Sequence, residues 1–261
     1  MSEKVMQKRK WQTTIALVII IAITYLSAAI TNFNFIDGLA AFPTAIGWMF
    51  SHLLITQESL EKLPAILGKL NETIFMSIAA TTTAAVVSIF LSLMGSKTTS
   101  VNGFLSMFAR LIASVSRNIP VVAWALILLL SFGQNSITGY LALFVGTVGF
   151  LTRAFMESID EASHSAVEAL TATGATYFHI VNKAVLPQSL PQMISWILFM
   201  IETNIRSATL VGILTGTGIG YTFDMYYKSM NYNVVALITF SIVIAVIIIE
   251  LISNYIRKVM M

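Results

Sequence analysis

The residues that could do chemistry in this sequence are few, and most of them fail on spacing. Glu157, Asp160 and Glu161 could suggest paired carboxylates for acid–base work. Their spacing fits the solvated face of a helix at least as well. His52, His164 and His179 are scattered without ligand spacing, and there is no cysteine. Thiolate nucleophiles, disulfides and cysteine metal sites are therefore excluded, and no metal site is expected. A nucleotide-binding loop needs Gly-x-x-x-x-Gly-Lys-Ser/Thr. Gly95-Ser96-Lys97-Thr98 lacks the glycine before the lysine and follows an apolar run rather than a strand. The glycines from Gly212 to Gly220 follow an apolar helix, so they fit close helix packing or a bend better than a dinucleotide fingerprint. What remains is charge in apolar surroundings. Arg110 and Arg117 lie two turns apart on one helical face, and Glu202 and Arg206 lie four residues apart. A buried ionised group needs a partner, a water-filled cavity or an anion. Arginine offers a planar fork of donors suited to oxyanions. Asn204, Ser207 and Thr209 would add neutral donors. Simple neutralisation of Arg206 by Glu202 is an equal reading.

These residues must be positioned by a membrane. The chain has 261 residues, 57% hydrophobic and 10% charged. A soluble domain carries about 25% charged residues. Apolar runs recur near 12–31, 73–94, 110–132, 137–155, 189–213 and 234–255. Each approaches the roughly 20 residues that cross a bilayer as a helix. The expectation is an all-α membrane protein with six transmembrane helices. The formal charge of +3 sits beside apolar segments rather than in one patch, which excludes a nucleic-acid partner. Lys4, Lys8, Arg9 and Lys10 precede the first run, and Ser27-Ala28-Ala29 could mimic a cleavage site. An uncleaved first span is preferred, because more spans follow and basic residues then fall mainly on one side. Both termini are expected in the cytoplasm.

Four segments follow from this reading. Residues 1–31 hold the cytoplasmic N-terminus and first span. Residues 32–72 lie outside and carry a surface helix, since Phe42, Ile46, Met49 and Leu53 recur at helical spacing. Docking of a partner there is the sharper alternative. Residues 73–255 form a core of five spans with a cytoplasmic loop at about 156–188, and 256–261 form a tail. Pro120 should kink or break the third span. In the loop, Gly174 suits a helix C-cap, while Pro187 and Pro191 suit the first turn of the next span.

The loop reads Glu168-Ala169-Leu170, three residues, Gly174-Ala175, and then Ala184-Val185-Leu186-Pro187. This resembles the EAA loop of ATP-binding-cassette (ABC) importer permeases. Leu170 stands for the third-position alanine and Ala184 for an isoleucine. A solvated amphipathic loop is the plain alternative. Glu202-Thr203-Asn204-Ile205-Arg206-Ser207-Ala208-Thr209, the close Gly218-Ile219-Gly220, and Arg117-Asn118-Ile119-Pro120 with Trp124-Ala125 resemble the phosphonate-type permeases of that class. The resemblance covers roughly residues 70–255. Leu214-Thr215-Gly216-Thr217-Gly218 departs from that family's glycine-rich end.

The resemblance implies a type I importer permease fold working as a homodimer in the cell membrane. It implies a non-enzymatic transport subunit with no cofactor of its own. ATP and Mg would sit on two copies of a separate ATPase, and an extracytoplasmic binding protein would deliver cargo. It assigns Glu168, Ala169, Leu170, Gly174, Ala175, Leu186 and Pro187 to ATPase coupling. It assigns Arg117, Glu202, Asn204, Arg206, Ser207, Thr209, Gly218 and Gly220 to the pathway or gate. The cargo would be phosphonate or a related phosphorus oxyanion. A permease for an amino acid is the near alternative. A secondary carrier is more remote, since no internal repeat stands out. A membrane enzyme would need a catalytic set at one depth, and none is visible.

Overall fold

The computed structural model describes residues 2–162 and 164–260, with side chains described from Met6 on and excluding Ala162 and His164. The expected roles of Lys4 and His164 as side chains thus fall outside the described residues. The chain divides into two units, one ending at Leu53 and the other beginning at Leu54.

The first unit holds α1 (Ser2–Ile30) and α2 (Phe35–His52). The apolar stretch of α1, Met6–Ile30, is long enough to cross a bilayer, and its side chains are almost all exposed. Asn34 starts α2 by accepting from the amides of Ile36 and Asp37, an N-cap that satisfies two orphan donors. No residue of α2 is buried, and His52 stacks on Trp48. A helix therefore occupies the segment where one was expected.

The second unit is helical throughout its regular structure among the described residues. It comprises α3 (Gln57–Leu60), α4 (Leu63–Gly95), α5 (Gly103–Asn118), α6 (Val121–Phe132), α7 (Ser136–Ala162), α8 (His164–Ala172), α9 (Tyr177–Ile180), a π-helical turn (Val181–Val185), α10 (Leu186–Thr215), α11 (Gly218–Lys228) and α12 (Tyr232–Met260). The expected span at 73–94 begins ten residues earlier. Pro64 suits the first turn of a helix, and Ile66 and Leu70 pack against Ile219, Val234 and Leu237.

Small residues set the central packing. Along α4, Ser77, Ala80, Thr81, Ala84, Ala85, Ser88 and Ser92 are all buried. Small side chains let membrane helices approach closely, because lipid supplies no hydrophobic drive between them. Ser88 Oγ donates to the Val148 carbonyl of α7 at 3.3 Å. Larger side chains fill the layer nearer α8, where Leu151, Phe155, Ile159, Val185 and Met193 form one cluster.

The third span is more sharply broken than a kink. α5 and α6 meet at a 95° bend over Ile119-Pro120. Among the described residues, five helices are long and apolar enough to cross a membrane, and the bent pair makes a sixth if it is one span. α5 also begins at Gly103, capped by Asn102, rather than near residue 110. Pro120 supplies no N–H, and the bend needs room for two backbones to approach. α7 gives that room at Gly149, where a methyl group would overlap the Arg117 amide, and at Gly146, where it would press on Val121. Trp124 Nε1 donates back across the break to the Ser116 carbonyl at 3.3 Å.

Asn204 ties the three main helices together. It is buried on α10, and its Nδ2 donates to Thr81 Oγ1 on α4 at 2.8 Å and to Thr147 Oγ1 on α7 at 2.7 Å. Replacing Asn204 by Leu removes both bonds and crowds two hydroxyls with a methyl fork. Polar contacts between membrane helices are worth about 0.6 kcal/mol each, up to about 1.7. The expected loss is thus about 1–3 kcal/mol, read as a lower melting midpoint of the purified protein in detergent.

Candidate functional site

The segment between α7 and α10 folds as two helices around one glycine. α8 ends at Ala172, and Gly174 follows with φ +77°. The Ala175 amide donates to the Leu170 carbonyl at 3.1 Å, and the Gly174 amide to the Thr171 carbonyl at 3.0 Å. These two bonds form the glycine-ended helix stop in which a left-handed residue closes the last turn. No atom lies within 4 Å of where a Gly174 side chain would start. Glu168, Ala169 and Gly174 are exposed, while Leu170 and Ala175 are half-buried. Val167 and Ile180 pack inward on the Phe155–Ile159 cluster, while Phe178 on α9 is 76% exposed. The helix pair therefore has a fixed inner face and an open outer one.

Pro187 stands in the first turn of α10 as expected, whereas Pro191 lies inside that helix. α9, the π turn and α10 run on as one apolar helical stretch, Tyr177–Thr215. A proline in a helix clashes with the carbonyl four residues back. The π turn relieves this, because the Leu186 amide bonds to the Val181 carbonyl, one residue further back than in an α-helix.

Behind α8 lies an anchor that sequence reasoning missed. Asp160 Oδ1 accepts from Ser96 Oγ at 2.6 Å, the Thr98 amide at 3.0 Å and Thr98 Oγ1 at 2.9 Å. The expected solvated face therefore holds only for Glu157 and Glu161, which are exposed. The glycine–serine–lysine–threonine run has a use after all: its turn cradles a carboxylate of α7 rather than a nucleotide. A signal existed in Ser96-x-Thr98 directly after a helix-ending glycine, since such hydroxyl turns favour carboxylate acceptors. The acceptor sits more than sixty residues away in sequence, and spacing gave no hint of it.

The expected pathway residues separate into four groups. Arg206 Nη1 pairs with Glu202 Oε1 at 2.9 Å, with the arginine side chain 49% exposed and the glutamate 10%. This is the neutralising pair, yet its cationic end still reaches the surface of the chain. Asn204 is not an open donor, because both of its amide hydrogens are engaged by Thr81 and Thr147. Thr209 Oγ1 turns back to the Ile205 carbonyl at 3.4 Å, and Ser207 is half-buried. Gly218 and Gly220 make helix contacts. A methyl group on Gly220 would overlap the Thr209 carbonyl, and one on Gly218 would overlap Thr73 Oγ1. That hydroxyl accepts from the Ile219 amide at 2.9 Å, at the start of α11. Arg117 is separate from all of these. It is exposed on α5 and lines a cavity with Arg110 and, from α7, Arg153. Among the described residues, no group of three His, Asp or Glu could hold a metal ion.

Comparison with known proteins agrees with this architecture. A family model described as "Binding-protein-dependent transport system inner membrane component" matches residues 84–260. The phosphite transport system permease protein PtxC of Stutzerimonas stutzeri is 31% identical over 189 residues, which is 72% of this chain and 69% of that one. The phosphate-import permease protein PhnE of Mycolicibacterium smegmatis is 28% identical over 72% of this chain, which spans only 35% of that longer protein. Among solved structures, a chain of the inward-facing MetNI methionine ABC transporter aligns with a TM-score of 0.69. The alignment covers 79% of this chain and all of that one at 20% identity, so it speaks to the fold alone.

The Asp160 anchor can be checked directly. Hydrogen bonds to a charged group are worth about 1.5–3 kcal/mol. Asp160→Ala should therefore speed hydrogen exchange of the Thr98 amide roughly ten- to a hundredfold. Amides in the middle of α7 should keep their protection.

Proposed function

The chain belongs to the family of binding-protein-dependent transport system inner membrane components, and from that premise we propose that it conducts a phosphorus oxyanion into the cell. It is the multi-pass membrane permease of an ABC importer, a transport subunit and not an enzyme. Its cargo class is phosphonate, phosphite or phosphate. The observation that carries this reading is the likeness to a phosphite permease over more than two-thirds of both chains. The chain supports it with arginines in apolar surroundings, and guanidinium suits tetrahedral oxyanions. The fold likeness to a methionine transporter keeps an amino acid as the second reading.

The working unit in this proposal is a homodimer, with the route along its two-fold axis. Each copy presents Glu168 to Pro187 to the cytoplasm, where one ATPase subunit grips the open face of α8 and α9. ATP and Mg sit on those subunits. Their closure draws the two grips together and opens the route outward, where a binding protein delivers cargo. Both termini lie inside, consistent with Arg257 and Lys258 in the last turn of α12. Exposed Glu168 and Phe178, held against a packed inner face, are what such a grip needs.

Uptake by the reconstituted complex tests the cargo. Unlabelled phosphonate, phosphite or phosphate should compete, and methionine should not. Competition by methionine alone reverses the assignment. Coupling has its own test in Gly174→Asp. The space there is open, and the strain of a left-handed residue is only about 1–2 kcal/mol. The chain should still insert, with its melting midpoint lowered by only about 2–8 °C, while ATPase co-purification or uptake falls severalfold. Wild-type uptake by that variant would remove the coupling role.

A further inference from the structure

The cavity beside Arg117 has features that the permease reading does not use. It encloses about 240 Å³ and is lined by Arg110, Ala113, Ser114 and Arg117 from α5 and by Arg153, Met156 and Glu157 from α7. Positions 110, 113, 114 and 117 fall on one face of α5, so its amphipathic side is aimed at α7. Three guanidinium groups thus meet one carboxylate. That carboxylate, Glu157, is held by Arg153 Nε at 2.7 Å, with both side chains more than half exposed. Arg110 Nε donates to the Gly95 carbonyl at 2.8 Å, which fixes its stem and leaves its terminal nitrogens without a protein acceptor among the described residues. Arg117 has no hydrogen bond or ion pair among the described residues. Ser114 Oγ accepts from Asn118 Nδ2 at 3.3 Å, so its hydroxyl hydrogen is free to donate.

Guanidinium groups brought together in one cavity repel one another, and an anion that joins them relieves that repulsion. The volume is below the roughly 300–1,000 Å³ that drug-sized organic ligands occupy. It admits a small ion with some of its water. The planar fork of each arginine matches two oxygens of a tetrahedral anion.

We propose that this α5–α7 cavity is a binding site for a phosphorus oxyanion, held by Arg117 and Arg153 with Arg110 and Ser114 completing the shell. It lies apart from the Glu202–Arg206 pair and near the end of α7 that leads to α8. A second cavity extends it in that direction; it shares Arg110, Arg153 and Glu157 and adds Lys97, Asp160 and Glu161, so the anion-favouring end is the one at Arg117. The site deepens the permease reading and rests on it: the anion would be cargo on its way to the cytoplasm. The same chemistry is carried by the phosphate of an anionic lipid headgroup.

The test uses the complete permease–ATPase complex in discs of neutral phosphatidylcholine, without the binding protein. Inorganic phosphate and methylphosphonate are titrated against wild type, Arg117→Gln and Arg153→Gln, with phosphorus resonance line width as the readout. Arg117 makes no protein bond, so its variant should fold, and ATPase co-purification and the melting midpoint check this. Loss of one charge-assisted contact should weaken binding roughly tenfold or more. In parallel, discs containing phosphatidylglycerol are weighed by native mass spectrometry. Anion binding in neutral discs that weakens in both variants supports a free oxyanion. Phosphatidylglycerol retained by wild type and released by Arg117→Gln supports the headgroup as occupant. Equal behaviour of wild type and variants toward both probes overturns the site. If wild type imports a phosphorus oxyanion while the variants bind and import equally well, only this site fails. If wild type imports none, the function proposed above fails instead.

Discussion

Close approach of helix backbones is the constraint on which the structure depends. In a bilayer the lipid tails are as apolar as leucine, so helices gain little by burying bulk. The chain instead brings α4, α7 and α10 together over alanine, serine, threonine and glycine. It then fastens them with the Asn204 amide, whose two hydrogens bind one threonine on each neighbour. The same logic appears at α11, where Gly212 and Gly220 let its first turn press on the backbone of α10. Thr73 of α4 completes that corner by capping Ile219. Each joint is short-range and directional, so the helix register is fixed by geometry rather than by volume.

Once the central helices are that close, the break between α5 and α6 acquires a purpose. Pro120 turns the chain through 95°, and only the glycines of α7 leave space for the elbow. The elbow puts the polar side of α5 against the end of α7. There it brings Arg110 and Arg117 to Arg153.

Much of this was legible in the sequence, and the reasons it was are physical. Runs of about twenty apolar residues announce spans whatever the rest of the chain does, and Gly174 announced its helix stop through the conformation only glycine adopts cheaply. Pro120 announced an interruption but not its size, because the angle depends on Gly146 and Gly149, which carry no local signal. Asp160 looked solvated because its three donors come from a turn far off in sequence. Asn204 looked like a donor aimed at an open route, since a single chain shows polarity but not which neighbours satisfy it. Pairing of Glu202 with Arg206 was one of two equal readings, and it was available because four-residue spacing is a property of the helix itself. Arg153 was passed over because its importance comes entirely from α5.

The π turn before Pro187 has a mechanical consequence. An ordinary proline kink would act as a hinge and absorb a push before it travelled far. The π turn carries the chain past Pro187, and the helix also continues through Pro191, so the thirty-nine residues from Tyr177 to Thr215 run on for about 58 Å at the helical rise. A tilt of about 10° at one end of such a spar sweeps the other by about 10 Å. A rotation introduced near Tyr177 would thereby reach Gly216 as displacement, geared up by length alone.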